Sequence, residues 1–169
     1  MSKNSFIKSL LLIFLALFLS GCIIIVETPV YNPIKTINTL KFAVVNGYYE
    51  TIKSCFTSTV DVWSINDYGQ TQNTTWLDSD AADFFYFTAN QYNFPVFDFN
   101  NANTSIYYHN DTAKITGTLF MKGTRNNRNI EIKGPITFRL RRSRGDNWYI
   151  YYLDLSYVEF YDLGQTHSI

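Results

Sequence analysis

From Lys114 onward the chain alternates. Ile115, Gly117, Leu119 and Met121 fall on one side of an extended backbone, and Thr116, Thr118 and Phe120 on the other. The period returns at Ile130 and Ile132, then at Ile136, Phe138 and Leu140, with Glu131, Lys133, Thr137, Arg139 and Arg141 in the opposite phase. A two-residue period marks strands with one face buried and one solvated. Trp148 and Ile150 keep one phase, whereas Leu153 and Leu155 take the other. One extra residue near Tyr151 and Tyr152 accounts for the shift, and such a bulge bends its strand. A shorter strand candidate spans 105–109, and turn residues lie at Asn110-Asp111, 123–127 and 142–146. Four antiparallel strands in a meander follow.

The N-terminal half keeps a different period. Asn32 followed by Pro33 pairs a capping side chain with the residue best suited to a first helical position. Ile37, Leu40, Val44, Tyr48, Ile52 and Phe56 then recur at three- and four-residue steps, which predicts one long helix over 34–56, interrupted at Gly47 by a bend or close contact. Val60 and Val62, with Trp63, make a short strand; Gly69 and the polar residues after it read as loop. Ser79 and Asp80 carry capping signals for a second, Phe-rich helix over 81–92, and 93–103 reads as irregular chain around Pro95. The expected class is α+β: a long N-terminal helix and a second helix packed on a curved, cone-like antiparallel sheet.

The first residues form a separate pattern. Lys3 and Lys8 precede an unbroken apolar run at 10–19, which ends in Ser20, Gly21 and Cys22. A charged start, an apolar middle and a small-residue end is the layout of a secretory signal. The apolar middle is about half the length a spanning helix needs. Leu19-Ser20-Gly21-Cys22 resembles the lipobox of bacterial lipoproteins. The resemblance implies that residues 1–21 are removed and that Cys22 carries a thioether-linked diacylglycerol, with further palmitate-type acylation of the new N-terminus. It implies a lipid-anchored protein of the cell membrane or outer membrane, facing outside the cytoplasm; Ile23 in place of an aspartate favours the outer membrane where there are two. Ile23 to Val26 extend the apolar run, so 10–26 as one short uncleaved anchor is the alternative. Residues 22–33 then read as a tether, 34–160 as the folded domain and 161–169 as a C-terminal tail.

Charge and cysteine content narrow the partners. Lys and Arg together number 14, as do Asp and Glu. Losing Lys3 and Lys8 with the signal leaves the mature chain slightly acidic, which argues against nucleic acid as a partner. A lipidated Cys22 cannot form a disulfide, so Cys55 is expected as a lone thiol, small, buried and unreactive.

The long helix and first strand, TLKFAVVNGYYETIKSCFTSTVDVW, together with DTAKITGTLFMKG and GDNWYIYYLDLS, resemble the nuclear transport factor 2-like, or cystatin-like cone, superfamily over nearly the whole mature domain. The resemblance implies a curved sheet wrapped on its helices. Members include isomerases, dehydratases and hydrolases as well as non-enzymatic binders, so fold alone does not choose among them.

Candidate chemistry is sparse. Asp61, Asp98 and Tyr107 are candidates for acid–base work of the isomerase kind, and equally for strand-end surface positions; none aligns with that constellation. His109 and His167 are isolated, and there is no Gly-rich phosphate loop, nucleophile elbow or clustered ligand spacing, so neither metal nor cofactor is expected. Trp63, Phe97, Tyr107 and Trp148 are candidates to line a pocket, against the commoner role of core aromatics. Arg139, Arg141, Arg142 and Arg144 form the sharpest charge feature, either a contact for anionic headgroups or envelope polymers or a solvated strand face. The leading expectation is a non-enzymatic binding module for a small apolar ligand or an envelope protein. The alternative is a cone-fold isomerase or dehydratase with Asp61 or Asp98 as base, acting on a small apolar substrate.

Overall fold

The first helix starts where Asn32 and Pro33 place it. In the computed structural model, which describes residues 32–66, 68–89, 94–107 and 111–165, the Asn32 Oδ1 accepts a hydrogen bond from the Ile34 amide at 3.0 Å. The chain divides into two units, Met1–Val30 and Tyr31–Ile169. The signal, Cys22, His109 and His167 lie outside the described residues.

Helix α1 (Ile34–Asn46) ends at Gly47, whose φ of 67° lets the amides of Gly47 and Tyr48 reach back to the Val44 and Ala43 carbonyls. A left-handed glycine in that position terminates a helix. The single helix expected over 34–56 is therefore two, and α2 spans Tyr49–Ser54. Ile37, Leu40, Ala43 and Val44 of α1 and Ile52 of α2 are buried.

Strands β1 (Phe56–Ile65) and β2 (Thr71–Leu77) form an antiparallel hairpin. β2 replaces the loop expected there. It is polar and almost wholly exposed, so no alternation announces it; its pairing with β1 makes it a strand. Helix α3 (Asp78–Phe85) starts three residues before the position read from the sequence, with the Asp80 carboxylate accepting from the Leu77 amide at 2.9 Å. It stops at Phe85 instead of continuing to 92, because Tyr86 is extended and Thr88 bridges to Thr124.

Five strands complete the sheet: β3 (Val96–Tyr107), β4 (Thr112–Arg125), β5 (Arg128–Arg142), β6 (Trp148–Asp154) and β7 (Glu159–Gln165). The order is β2-β1-β6-β5-β4-β3, with β7 beside the first half of β5; all pairs are antiparallel except β1 with β6. Two expectations are corrected. The stretch before residue 105, read as irregular, is the first part of β3, where pairing with β4 overrides the poor strand preference of its asparagines. Residues 161–165, read as tail, belong to β7.

Bulges set the curvature. Arg139 pairs with Tyr152 and Leu140 with Ile150, so Tyr151 is the extra residue in β6, where the phase change in the sequence puts it. A second bulge in β3 between Asn100 and Asn103 includes Asn101 at a φ of 54°. In β5, Gly134 has a φ of 139° and its Cα hydrogens lie against the Tyr157 backbone carbonyl, a space no Cβ fits. The strand bends there as it passes from β7 to β6.

The helices close the inner face of this curved sheet. Between them lies a chain of phenyl rings: Phe85 stacks on Phe56 at 5.7 Å and approaches Phe97 at 6.4 Å and Phe138 at 6.3 Å, while Phe99 meets Phe138 edge-on at 5.5 Å. Leu119, Met121, Ile132 and Leu153 pack around them with no exposed surface.

Cys55 sits at the end of α2, buried as expected, its thiol donating to the Thr51 carbonyl at 3.3 Å. Burial pushes the thiol up to about 12. An unfolded chain releases this proton near pH 8.5, so between there and pH 12 the folded state holds a proton that the unfolded state has lost. Stability contributed by the neutral thiol therefore falls as pH rises through that window, by about 1.4 kcal/mol per pH unit. Denaturant titrations of Cys55→Ala should give a shallower alkaline decline than the parent; parallel curves would contradict the assignment.

Candidate functional site

A concavity is built at the far end of β4 and β5. Their connection is a two-residue turn, Asn126-Asn127, with φ of 50° and 59°, the handedness that suits a tight hairpin. The turn sets Arg125 at the strand end, over the Phe87 ring at 4.9 Å, and its guanidinium donates to the Phe84 carbonyl near the C-terminus of α3. A cation there complements the helix dipole. The Arg125 Nε is buried and has no hydrogen-bond partner.

Trp76, at the end of β2, packs on Phe84 at 5.5 Å. With Asp80, Asp83, Tyr86, Arg125 and Asn126 these rings enclose a cleft of about 570 Å³, within the range of small-molecule sites. Tyr49 stands behind it, edge-on to Tyr86 at 5.4 Å, its hydroxyl donating to the Ser79 carbonyl at 3.3 Å. Burial raises the Tyr49 phenol above its usual range, and the nearby Asp83 carboxylate raises it further. Tyr49 therefore stays a proton donor at neutral pH. Burial lowers Arg125 and Asp83 counteracts this. Three groups from α2, α3 and β4, far apart in sequence, thus meet at one rim.

The residues singled out from sequence do not converge. Phe97 and Trp148 are core side chains. Trp63 and Tyr107 are corrected: at 39% and 50% exposure they lie on the outer face of the sheet, away from the helices. Trp63 shares the phase of exposed Asp61, opposite buried Val60 and Val62. Tyr107 is turned outward by the bulge at Asn101, which reverses the phase set by Phe97. Asp61 is exposed, and Asp98 faces outward opposite Phe120, accepting from the Asn100 amide at 2.7 Å. Neither acid reaches the cleft, so the base role expected for them is withdrawn.

The arginine run is also divided. Arg139 and Arg141 lie exposed on the outer face, over the rings of Tyr152 at 4.4 Å and Tyr151 at 5.3 Å. Arg142 pairs with Asp111 at 2.7 Å and approaches Asp146 at 4.0 Å. Among the described residues, no group of His, Cys, Asp and Glu side chains has the arrangement to hold a metal ion, and no helix is long and apolar enough to cross a membrane.

The chain matches no protein-family model and no curated protein. Solved structures do resemble it. A putative scytalone dehydratase from Novosphingobium aromaticivorans is 10% identical at a TM-score of 0.53, covering 80% of this chain and 85% of that one. A protein from Kribbella flavida is 14% identical at 0.54, over 75% and 90%. A LinA-type hexachlorocyclohexane dehydrochlorinase from Novosphingobium barchaimii is 15% identical at 0.50, over 79% and 89%. At these identities the likeness is one of fold: a nuclear transport factor 2-like α+β cone.

Proposed function

We propose that this is an exported, lipid-anchored binding protein whose cone domain takes a small, largely apolar ligand in the rim cleft. The observation that carries the reading is the cleft itself, lined by the Trp76 and Phe84 rings, the Asp80 and Asp83 carboxylates and Arg125, whose guanidinium supplies the donor. The space behind it is occupied by Phe85 and its neighbours, which favours a rim ligand over one seated deep in the cone. Flat apolar surface on the two rings and an acceptor oxygen toward Arg125 define the ligand class.

The aromatic ketone prodan is a suitable fluorescent probe. It should bind the folded chain with a blue-shifted emission. A hydrogen bond to a charged donor is worth about 1.5–3 kcal/mol, so Arg125→Met should weaken binding roughly 10- to 100-fold. Arg125 also ties the hairpin to α3, so Trp76→Ala serves as the second variant. Unchanged affinity in both, with near-ultraviolet circular dichroism intact, would remove the cleft from consideration.

A second reading is favoured by Asp83 with Tyr49. A carboxylate beside a protonated phenol is an acid–base pair, and two of the similar structures are named for elimination reactions. In that reading Asp83, in place of Asp61 or Asp98, takes the base role. Turnover of an eliminating substrate that disappears in Asp83→Asn, with prodan binding retained, would favour it.

A further inference from the structure

The outer face carries cations that make no ion pair within the described fold. Lys114 and Arg139 are directly opposed across β4 and β5, an arrangement that ordinarily destabilises a sheet. Among the described residues neither they nor Arg141 and Arg144 make an ion pair; Asp111 and Asp146 are engaged by Arg142. Asp154, on the same side of β6 as Tyr152, and Asp61, on the β1 side, also lie on this face, neither in an ion pair with these cations. Tyr152 and Tyr151 hold the two guanidinium groups against their rings, which leaves the N–H edges free to take phosphate oxygens.

The same end of the sheet receives the chain from its N-terminus. The Thr36 hydroxyl, in the first turn of α1, donates to the carbonyl of Trp148 at 2.8 Å. Trp148 directly follows the β5–β6 turn that carries Arg144. The stretch from Cys22 to Asn32, even fully extended, spans only about 35 Å. The cleft lies at the opposite end: Thr112 pairs with Arg141, Arg125 pairs with Arg128, and β4 separates the two ends by about 40 Å of strand.

We propose that Lys114, Arg139, Arg141 and Arg144 dock the domain on anionic phospholipid headgroups of the leaflet that holds the Cys22 acyl chains, so that the cleft opens away from the bilayer. This rests on the anchoring reading above. Each basic side chain at an anionic surface is worth roughly fivefold in partition, and the contact weakens as salt shortens the screening length.

The test uses the protein as isolated from membranes, in vesicles of phosphatidylcholine alone or phosphatidylcholine with phosphatidylglycerol. Phenylglyoxal labelling of Arg139 and Arg141, read by peptide mass, should slow severalfold in the anionic vesicles, and concentrated salt should abolish the difference. Arg128, at the cleft end, should label equally in both. Equal labelling of Arg139 and Arg141 in the two vesicles, in protein whose intact mass includes acyl chains, overturns the docking. Protection equal in both vesicles and accompanied by dimer formation assigns the face to a second copy and overturns it too, as does protection by a soluble phosphodiester polymer with none from vesicles. Protection on anionic vesicles by protein that lacks acyl mass sinks the anchor and leaves the docking standing.

Discussion

Phe85→Ala should cost the domain about 3–5 kcal/mol, the range for emptying a fully buried phenyl site. Phe85 has no exposed surface and touches four other rings: Phe84 at 4.8 Å, Phe56, Phe97 and Phe138. These come from α3, β1, β3 and β5, so one side chain joins a helix to three strands. A single domain has a total stability of only about 5–15 kcal/mol, so the variant should lose a large part of its reserve. Denaturant midpoints should fall with little change in slope. Phe85→Leu, which keeps most of the volume, should cost less than half as much. The hole left by alanine is lined by rings and aliphatic groups, and such cavities stay dry and accept small apolar molecules. Benzene should therefore raise the midpoint of Phe85→Ala and leave that of the parent unchanged. A loss below about 1 kcal/mol, or equal rescue of the parent, would mean that the cone is not filled as described.

Replacing Cys22 with serine should have an all-or-none effect on anchoring. The sulfur is the proposed attachment point of the diacylglycerol, and serine offers no thiol for the thioether. The parent should lack residues 1–21 and carry acyl mass, whereas Cys22→Ser should retain those residues and carry none. Buried methylenes contribute about 0.8 kcal/mol each, and durable attachment takes more than one chain. The parent should resist extraction by alkaline carbonate. If the parent is full-length without acyl mass, the short uncleaved anchor over 10–26 is the correct reading. If Cys22→Ser is still cut before position 22, the lipoprotein reading fails.

Local pattern carried much of the architecture. The strict alternation of Ile115, Leu119 and Met121, and of Ile136, Phe138 and Leu140, marked β4 and β5 because each has one face against the core. The phase change after Ile150 located the bulge at Tyr151, since an extra residue must leave that signature. β2 and β7 were not legible: neither presents a regular apolar face, and both are strands because a neighbour offers hydrogen bonds. Trp63 and Tyr107 were misplaced because residue type indicates what a pocket requires, whereas side-chain parity decides which face receives it. Tyr49, Asp83 and Arg125 carried no joint signal, being separated by long stretches of chain.

What the sequence determined by itself was therefore the local: the α+β class, the start of α1 at Asn32 and Pro33, an irregularity at Gly47 within a helical stretch and the phase of β4 to β6. Capping, glycine conformation and two-residue alternation act between near neighbours, so they can be read along the chain. The tertiary structure alone decided that β1 lies parallel to β6, that phenyl rings fill the cone, that Tyr49, Asp83 and Arg125 share a rim, and that the arginines and the chain's entry point share the other end. Those outcomes depend on which distant surfaces bury each other, and burial is a property of the whole packed body.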